Sequence, residues 1–245
     1  MANHQSTPVV LLHAYPLNAR MWSSLQDRLG DRSTLAPDFP GFGSRSPRPA
    51  NLDAFAGAVI EEMDRAGIAR AVFVGLSMGG YVAFRLWARH PERVAGMVLA
   101  DTRAGPDSEA AAEKRLQQAE RARTEGISWV PEEMLGAVLG ESTRRDRPDV
   151  VEIVRKLMLE ATPEGVARAL LAMRERPDSR PLLPTIDVPV LVLVGEEDQL
   201  TGIEESRTIA EGVPGAELKV IPRAGHLSNL ENPEAFEGAV LEFLG

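Results

Sequence analysis

Six short apolar runs recur along the chain, and stretches with helical periodicity separate most of them. The runs lie at residues 8–13, 33–37, 71–75, 94–100, 188–194 and 217–221. Runs that are apolar on both faces are typical of parallel strands buried between two helical layers. The helical patterns cover residues 19–29, 52–66, 78–89, 204–211 and 233–243. This alternation predicts an α/β fold with a mainly parallel sheet of about six strands, flanked by helices.

One long stretch interrupts the alternation. Between Thr102 and Leu182 no strand pattern occurs, and the segment is rich in Ala, Glu, Arg and Leu. Helices with proline near several of their starts are predicted at residues 109–125, 131–139, 148–159 and 163–174. We therefore expect a core made of residues 1–101 and 183–245, interrupted by a helical insert of residues 102–182.

The composition restricts the classes of partner. A chain of 245 residues that is 44% hydrophobic can bury a core without disulfides or metals. The net charge of −9 disfavours nucleic acid, because phosphate binding requires a basic face. The chain has no cysteine, which excludes a disulfide framework and a cysteine metal site, and we expect neither a metal nor a cofactor.

The apolar runs and the N-terminal residues predict the cellular location of the protein. No run reaches membrane-spanning length. Residues 1–8 have neither the basic nor the apolar region of a secretory signal. We expect a cytoplasmic protein that contacts no membrane.

The third predicted strand leads directly into a glycine-rich turn, Gly75-Leu76-Ser77-Met78-Gly79-Gly80, which opens a predicted helix. This Gly-x-Ser-x-Gly turn places a serine nucleophile at the carboxyl edge of a sheet. Side chains at Gly75 and Gly79 would collide with the neighbouring strand and helix. The helix N-terminus favours developing negative charge near Ser77. A turn without chemistry is the alternative, and the strand–turn–helix context favours the nucleophile.

A serine hydroxyl needs a neighbouring base and a group that orients this base. His226 lies in the loop after the last strand, at the same sheet edge, and is the candidate base. Asp198 follows the fifth strand and is the candidate acid that holds the imidazole. Rivals for that role are Glu196, Glu197 and Asp101.

The oxyanion of an acyl-transfer transition state calls for two preorganised N–H donors. The residue after the nucleophile, Met78, is the first candidate. The loop after the first strand, His13-Ala14-Tyr15-Pro16, offers the Tyr15 amide as the second, since Pro16 has no N–H. We expect His13 itself to be structural and to hydrogen-bond the loop backbone.

Together these segments resemble the α/β-hydrolase superfamily. The nearest likeness is to small bacterial esterases, 3-oxoadipate enol-lactonase-like hydrolases and cofactor-free perhydrolases or haloperoxidases. The serine, acid and histidine also follow each other in the order of this superfamily. The matching segments are residues 11–16, 38–43, 75–80, 195–198 and 225–226. The resemblance implies an α/β-hydrolase fold with a Ser77–Asp198–His226 triad and an oxyanion hole formed by the Tyr15 and Met78 amides.

Two features depart from that superfamily. Family members usually carry glycine where this chain has Ala14, and alanine tolerates positive φ poorly, so we expect a loop of different shape. Too few residues precede Val9 for the family's antiparallel hairpin, so we expect a trimmed sheet of about six parallel strands.

The insert falls where the superfamily places its lid, so the resemblance implies a helical cap over the substrate pocket. Candidate pocket residues are Trp129, Met134, Met158, Leu200 and Leu227. Packing within the cap's own core is the alternative for the apolar residues of the insert. Arg103 is a candidate for binding a substrate carboxylate, although a surface ion pair is the favoured interpretation.

The leading hypothesis is hydrolysis of a small carboxylic ester or lactone through an acyl-enzyme, with such a small molecule as the expected partner. Acyl transfer to peroxide, as in perhydrolases and haloperoxidases, and C–C bond hydrolysis are alternatives. Haloalkane dehalogenases and epoxide hydrolases of this fold use an aspartate nucleophile, which Ser77 argues against. A low-turnover ligand-binding protein on a hydrolase fold is the hypothesis from another class.

Overall fold

Six parallel strands form the sheet in the computed structural model, which describes residues 7–245. They are β1 (Val9–Leu12), β2 (Thr34–Leu35), β3 (Ala71–Leu76), β4 (Val94–Ala100), β5 (Val190–Gly195) and β6 (Glu217–Ile221). Every residue of β1, β3, β4 and β5 is buried, as expected of strands that lie between two helical layers. The predicted α/β class and the parallel sheet of six strands are confirmed.

The strand order across the sheet is β2-β1-β3-β4-β5-β6, so the direction of the winding reverses between β1 and β3. From β1 the chain adds β2 on one side, crosses back to β3 and then steps outward to β6. In open parallel sheets, the loops on either side of such a reversal separate and leave a crevice at the carboxyl ends of the strands. The loops after β1 and β3 therefore border the crevice where a ligand is expected.

Eleven α-helices occur in the described residues. They are α1 (Ser23–Leu29), α2 (Leu52–Arg65), α3 (Met78–Arg89), α4 (Glu109–Glu125), α5 (Val130–Val138), α6 (Glu141–Asp146), α7 (Pro148–Leu159), α8 (Pro163–Arg174), α9 (Gly202–Gly212), α10 (Ser228–Glu231) and α11 (Pro233–Leu244). The short helices α6 and α10 are not predicted from the sequence, because four to six residues carry too little periodicity. A 3-10 turn, Ala19–Trp22, forms the start of the first predicted helix.

The helices α4 to α8 fill the chain between β4 and β5, and the described residues of this stretch contain no strand. Local signals start several of them. The Ser108 hydroxyl accepts a hydrogen bond from Ala111 N at the start of α4, and proline stands in the first turn of α5, α7 and α8. Within the insert, α4 packs on α8 and α5 packs on α7. The boundaries of the insert as a separate unit, residues 102–182, stay a prediction.

A backbone-to-backbone contact docks the insert on the loop after β2. Thr162 caps α8, and its hydroxyl also donates to the carbonyl oxygen of Gly41 at 3.1 Å. A Cβ on Gly165 would overlap the same carbonyl, and a Cβ on Gly41 would lie 2.7 Å from Gly165 Cα. Glycine is required at both positions because the two backbones touch. The insert therefore sits at a defined place on the sheet domain.

None of the helices in residues 7–245 has the length and apolarity to cross a membrane. The prediction about a secretory signal concerns residues 1–8, of which residues 1–6 lie outside the described part of the chain.

Candidate active site

Ser77 occupies the sharp turn between β3 and α3, with φ 55° and ψ −111°. This conformation is strained for a residue with a side chain, and local contacts hold it. Ser77 N donates to the carbonyl of Ala100 at 2.9 Å, and the Thr102 hydroxyl donates to the carbonyl of Ser77 at 2.8 Å. A Cβ on Gly75 would lie 2.5 Å from the Gly79 oxygen, so glycine is required in this turn, as predicted. The turn lifts the Ser77 hydroxyl to the N-terminus of α3.

Three side chains from three separate loops form a continuous hydrogen-bonded chain. His226 Nε2 lies 2.8 Å from Ser77 Oγ, and His226 Nδ1 lies 2.9 Å from Asp198 Oδ2. The arrangement suits a neutral imidazole that donates its Nδ1–H to the carboxylate and accepts the serine O–H at Nε2. The structure thus brings together the predicted nucleophile, base and acid.

The loop after β5 holds the Asp198 carboxylate in place. Oδ1 accepts from Leu200 N at 2.8 Å and from Thr201 N at 3.2 Å, and Oδ2 accepts from the Thr201 hydroxyl at 2.5 Å. Bonds from an aspartate to the amides two and three residues later form a turn that this residue type favours. Thr201 was not predicted as a site residue, although an Asp followed by Thr three places later, just before a helix, is a signal for such a turn.

The acidic rivals of Asp198 are engaged elsewhere. Glu196 accepts from Arg223 N at 3.0 Å, and Glu197 accepts from Ser142 N at 2.9 Å. Neither carboxylate bonds to His226, so the tertiary structure selects Asp198 from the acidic turn.

Asp101, the third rival, ties two of the site loops together. Its Oδ1 accepts from Gly195 N at 2.8 Å, and its Oδ2 accepts from the Ser228 hydroxyl. Gly195 begins the loop that carries Asp198, and Ser228 follows His226 by two residues. Burial raises the pKa of Asp101 to about 8, and the nearby charge of Asp198 acts in the same direction. Asp101 is therefore largely protonated at neutral pH and supports the site.

The pairing of His226 with Asp198 outweighs the effect of burial on both pKa values. Burial alone lowers the pKa of His226, but the carboxylate charge and hydrogen bond of Asp198 leave this pKa above its usual value. Burial alone raises the pKa of Asp198, but His226 and Thr201 hold it well below its usual range. A carboxylate that stays ionised at neutral pH stabilises an imidazolium beside it.

Two backbone amides near the proposed nucleophile have no protein acceptor. Met78 is the first residue of α3, so its N–H has no partner inside the helix. Within residues 7–245, neither the Met78 amide nor the Tyr15 amide donates to another protein group. The Tyr15 loop is braced by Ala14 N, which donates to Met21 Sδ at 3.2 Å. Ala14 does not take a positive φ, so alanine fits this loop without strain.

His13 shapes the same loop and stays neutral. Its Nδ1–H donates to the Ala14 carbonyl at 3.0 Å, and its Nε2 accepts from Phe39 N at 2.9 Å. Burial lowers the pKa of His13 to about 4, which matches an imidazole that must accept a backbone hydrogen bond. These contacts confirm the structural role predicted for His13.

The insert is hydrogen-bonded to the loop that carries His226. The carbonyl of Val138, at the end of α5, accepts from His226 N at 3.0 Å. The buried Glu231 carboxylate joins the two segments a second time, because it accepts from Gly140 N at 2.8 Å and from Leu227 N at 3.1 Å. Residues of the insert therefore help to position the imidazole.

A cavity of about 250 Å³ lies over Ser77 and His226, between the carboxyl edge of the sheet and the insert. Tyr15, Tyr81 and Leu200 of the sheet domain form part of its wall, and Arg103 contributes from the first residues of the insert, just after β4. The insert contributes residues from three helices, namely Ala111, Lys114, Arg115 and Gln118 of α4, Glu133, Met134, Ala137 and Val138 of α5, and Leu170 and Met173 of α8. No group of three or more His, Asp or Glu side chains among residues 7–245 is arranged to hold a metal ion.

Of the predicted pocket residues, Met134 and Leu200 line this cavity. Trp129, Met158 and Leu227 do not, and each is buried in the packed core. The Trp129 indole N–H donates to the carbonyl of Gly126 at 2.8 Å. Met158 belongs to α7, which packs against α5 rather than over the cavity. Trp129 and Met158 follow the alternative interpretation, packing within the core, and Leu227 is a core residue rather than part of the cavity wall.

The polar wall of the cavity was largely missed by sequence reasoning. Tyr81, Lys114, Arg115 and Gln118 lie on helices whose periodicity does not mark them as site residues. Arg103 also lines the cavity, and no ion pair of Arg103 exists within residues 7–245. One of its guanidinium N–H groups donates to the Leu200 carbonyl instead. The favoured interpretation of Arg103 as part of a surface ion pair is wrong.

Several known proteins are similar to this chain in sequence or in fold. A model of the alpha/beta hydrolase family matches residues 9–239. A solved thermophilic esterase from Thermogutta terrifontis is 43% identical, with a TM-score of 0.94, over 98% of this chain and 89% of that chain. The 3-oxoadipate enol-lactonase 2 of Acinetobacter baylyi is 30% identical over 91% of this chain and 83% of its own length. A pimeloyl-[acyl-carrier protein] methyl ester esterase of Neisseria meningitidis is 30% identical over 96% of this chain and 93% of its own.

Proposed function

This chain belongs to the alpha/beta hydrolase family, and we propose that it is a serine hydrolase that cleaves a small carboxylic ester or lactone through an acyl-enzyme. The observation that carries the proposal is the 2.8 Å contact between Ser77 Oγ and His226 Nε2, with Asp198 at the far side of the imidazole. The esterase and enol-lactonase names of the relatives support the substrate class.

The first half of the proposed reaction forms the acyl-enzyme. Ser77 Oγ attacks the carbonyl carbon while His226 Nε2 takes the hydroxyl proton. The ionised Asp198 stabilises the imidazolium and keeps the ring in the tautomer that can accept this proton. The C–O bond to the alcohol then breaks, and His226 returns the proton to the leaving oxygen.

The Tyr15 and Met78 amides supply the proposed oxyanion hole. The carbonyl oxygen gains negative charge in the transition state, and preorganised N–H groups stabilise that charge more than they stabilise the ground state. Both amides lack a protein acceptor, so they are free to donate to the substrate. The N-terminus of α3 adds a favourable dipole.

The second half of the reaction uses water in place of the serine. His226 takes a proton from water, the hydroxide attacks the acyl-enzyme carbonyl, and the acid leaves as Ser77 regains its proton. The insert lies over the cavity and limits the access of bulk water to the reacting carbonyl.

Removal of the Ser77 hydroxyl tests the proposal. We expect Ser77→Ala to lower kcat/KM for p-nitrophenyl butyrate by at least about 10³-fold, as losses of a triad nucleophile do. A fluorophosphonate probe should label the parent protein at Ser77 and leave the variant unlabelled. Ser24→Ala, at an exposed serine of α1, is the matched control and should behave as the parent.

Undiminished turnover by Ser77→Ala would contradict the proposed role of Ser77. A parent protein that neither hydrolyses esters of graded acyl length and enol-lactones nor reacts with the probe would instead favour the ligand-binding hypothesis. Circular dichroism of both variants shows whether any loss of turnover arises from misfolding.

A further inference from the structure

The side chains that line the cavity carry a net positive charge, whereas the whole chain carries a net negative charge. The net charge of the chain is −9. The cavity wall nevertheless carries three basic side chains, Arg103, Lys114 and Arg115, and a single acidic one, Glu133. Three basic groups against one acidic group do not by themselves make a binding site, because the protein partners of each group decide whether it is available to a ligand.

Two of these four charged groups already have protein counter-charges. Arg115 forms a salt bridge of 2.5 Å with Asp107, whose carboxylate also binds Arg176 at 2.7 Å. Glu133 forms a salt bridge with Arg121. These groups are held by the insert itself and are poorly available to a ligand.

Arg103 and Lys114 have no such partner. Within residues 7–245, neither the Arg103 guanidinium nor the Lys114 ammonium forms a salt bridge, unlike Arg115 and Arg176. The Arg103 guanidinium bonds to one backbone carbonyl, and its Nε–H is buried without any acceptor. A buried charged donor without an acceptor is costly unless a ligand supplies the acceptor. The two cations come from different segments, since Arg103 lies in the loop just after β4 and Lys114 lies on α4.

Arg103 is also close enough to the reaction centre for its charge to affect His226. The positive charge of Arg103 acts to lower the pKa of His226, against the larger effect of Asp198. An anion bound to Arg103 would therefore lie in the same cavity as an ester carbonyl placed at Ser77. The burial of the Tyr15 phenol raises its pKa, so its hydroxyl remains a neutral hydrogen-bond donor in the same wall.

We propose that the cavity selects esters that carry a carboxylate away from the scissile bond, with Arg103 and Lys114 as the residues that recognise it. This inference rests on the proposed hydrolysis by Ser77. A guanidinium offers a fork of N–H donors that fits the two oxygens of a carboxylate, and the Lys114 ammonium supplies a second positive charge from the insert. The carboxylate belongs to the acyl part or to the alcohol part of the substrate.

Substrates of equal length but different charge test the proposal. Monoethyl adipate, ethyl hexanoate and ethyl 6-aminohexanoate present an anionic, a neutral and a cationic acyl group, and proton release at constant pH follows their hydrolysis. The 6-acetoxyhexanoate ion and hexyl acetate make the same comparison on the alcohol side. We expect at least one of the two anionic esters to have a kcat/KM about tenfold or more above that of its neutral counterpart. The cationic ester should have the lowest kcat/KM.

Variants assign the preference to the two cations. Arg103→Gln removes the charge and keeps a polar N–H group near the Nε position, and we expect it to lower the anionic-to-neutral ratio of kcat/KM about tenfold. Lys114 is exposed, so Lys114→Met should fold normally and lower the ratio by a smaller factor, about threefold. Lys156→Met removes the same charge from α7, outside the cavity, and is the matched control that should keep the parent ratio.

Two further readouts do not depend on the variants. Adipate should inhibit hydrolysis of ethyl hexanoate more strongly than hexanoate does. Raising the ionic strength from about 0.05 M to about 0.5 M should reduce the anionic preference of the parent, because salt screens partly exposed charges.

The outcomes separate this inference from the proposed function. Equal turnover of the neutral and anionic esters would overturn carboxylate selection and leave the hydrolase proposal intact. A preference that survives both Arg103→Gln and Lys114→Met would show that other groups recognise the anion. The absence of turnover for every ester would count against the proposed function itself.

Discussion

Two buried aspartates near His226 show how surroundings decide the role of a residue. Asp198 receives three hydrogen bonds from its own loop and one from His226, which keep it ionised. Burial raises the pKa of Asp101 to about 8, and the charge of Asp198 acts in the same direction. The same side chain therefore serves as a charged partner of the base in one place and as a neutral support in the other.

The pH dependence of turnover follows from the raised pKa of His226. The base acts only when neutral, so kcat/KM for an uncharged ester should rise with pH through a midpoint above 6.5. NMR of the imidazole in Ser77→Ala measures the same titration without turnover. Asp198→Asn should move the His226 midpoint downward, because the stabilising charge is lost. A His226 midpoint that is the same with and without Asp198 would contradict this assignment.

The stability of the fold should depend on the protonation of Asp101. Its pKa rises from 3.8 to about 8 on folding, so the folded state keeps a proton that the unfolded chain loses between these values. The contribution of Asp101 to the unfolding free energy therefore falls, by about 1 kcal/mol per pH unit, as the pH rises through this window.

Asp101→Asn removes that dependence and keeps an oxygen for Gly195 N. We expect the variant to gain in unfolding free energy relative to the parent between pH 5 and pH 8, which urea denaturation at both pH values measures. The comparison with the parent cancels the titration of the other groups. A constant difference across this range would mean that Asp101 is ionised in the folded protein.

At the scale of the elements, the end of β4 joins the three loops of the site. Thr102 bonds to the carbonyl of Ser77, while Asp101 bonds to Gly195 and Ser228 in the loops that carry Asp198 and His226. Helix α5 adds the bond from Val138 to His226 N. The geometry of the site thus depends on β4 and on the insert as well as on the loops themselves.

Helix α8 should tolerate no side chain where it touches the sheet domain. A Cβ on Gly165 would overlap the Gly41 carbonyl, so Gly165→Ala should lower the unfolding free energy by about 1–3 kcal/mol. Gly136, in α5, has open space around the position of a Cβ, so Gly136→Ala is the matched control. The control should gain about 0.5–1 kcal/mol, because alanine favours the helix. Equal effects in thermal unfolding would contradict this docking contact.

For the whole molecule, the contacts between the insert and the sheet domain predict cooperative unfolding. Thr162 bonds to Gly41, Glu231 bonds to Gly140, and Arg168 donates to the Arg48 carbonyl at 3.0 Å. Because these contacts involve both α8 and the segment after α5, we expect one thermal transition with a ratio of calorimetric to van't Hoff enthalpy of about 1. Two resolved transitions would show that the insert unfolds independently.

Much of the fold could be predicted because its signals are local. The strands β1, β3, β4 and β5 are continuous apolar runs, and the Ser77 turn joins a strand to a helix within six residues. The helices α6 and α10 were missed because they are short and depend on contacts with other segments. The Gly41–Gly165 contact could not be predicted, since neither glycine shows its distant partner in the sequence.

The sequence by itself determined the parallel sheet and placed Ser77, Asp198 and His226 at its carboxyl edge. Strand periodicity, a glycine-bounded serine turn and loop positions are all local patterns, which depend on residues close together in the chain. Only the tertiary structure decided that Asp198 rather than Glu196 or Glu197 meets His226, and that Arg103 and Lys114 face the cavity without counter-charges. Those outcomes depend on how the insert docks on the sheet. Docking is a sum of contacts between segments far apart in the chain, and no local pattern records which partner each side chain will meet.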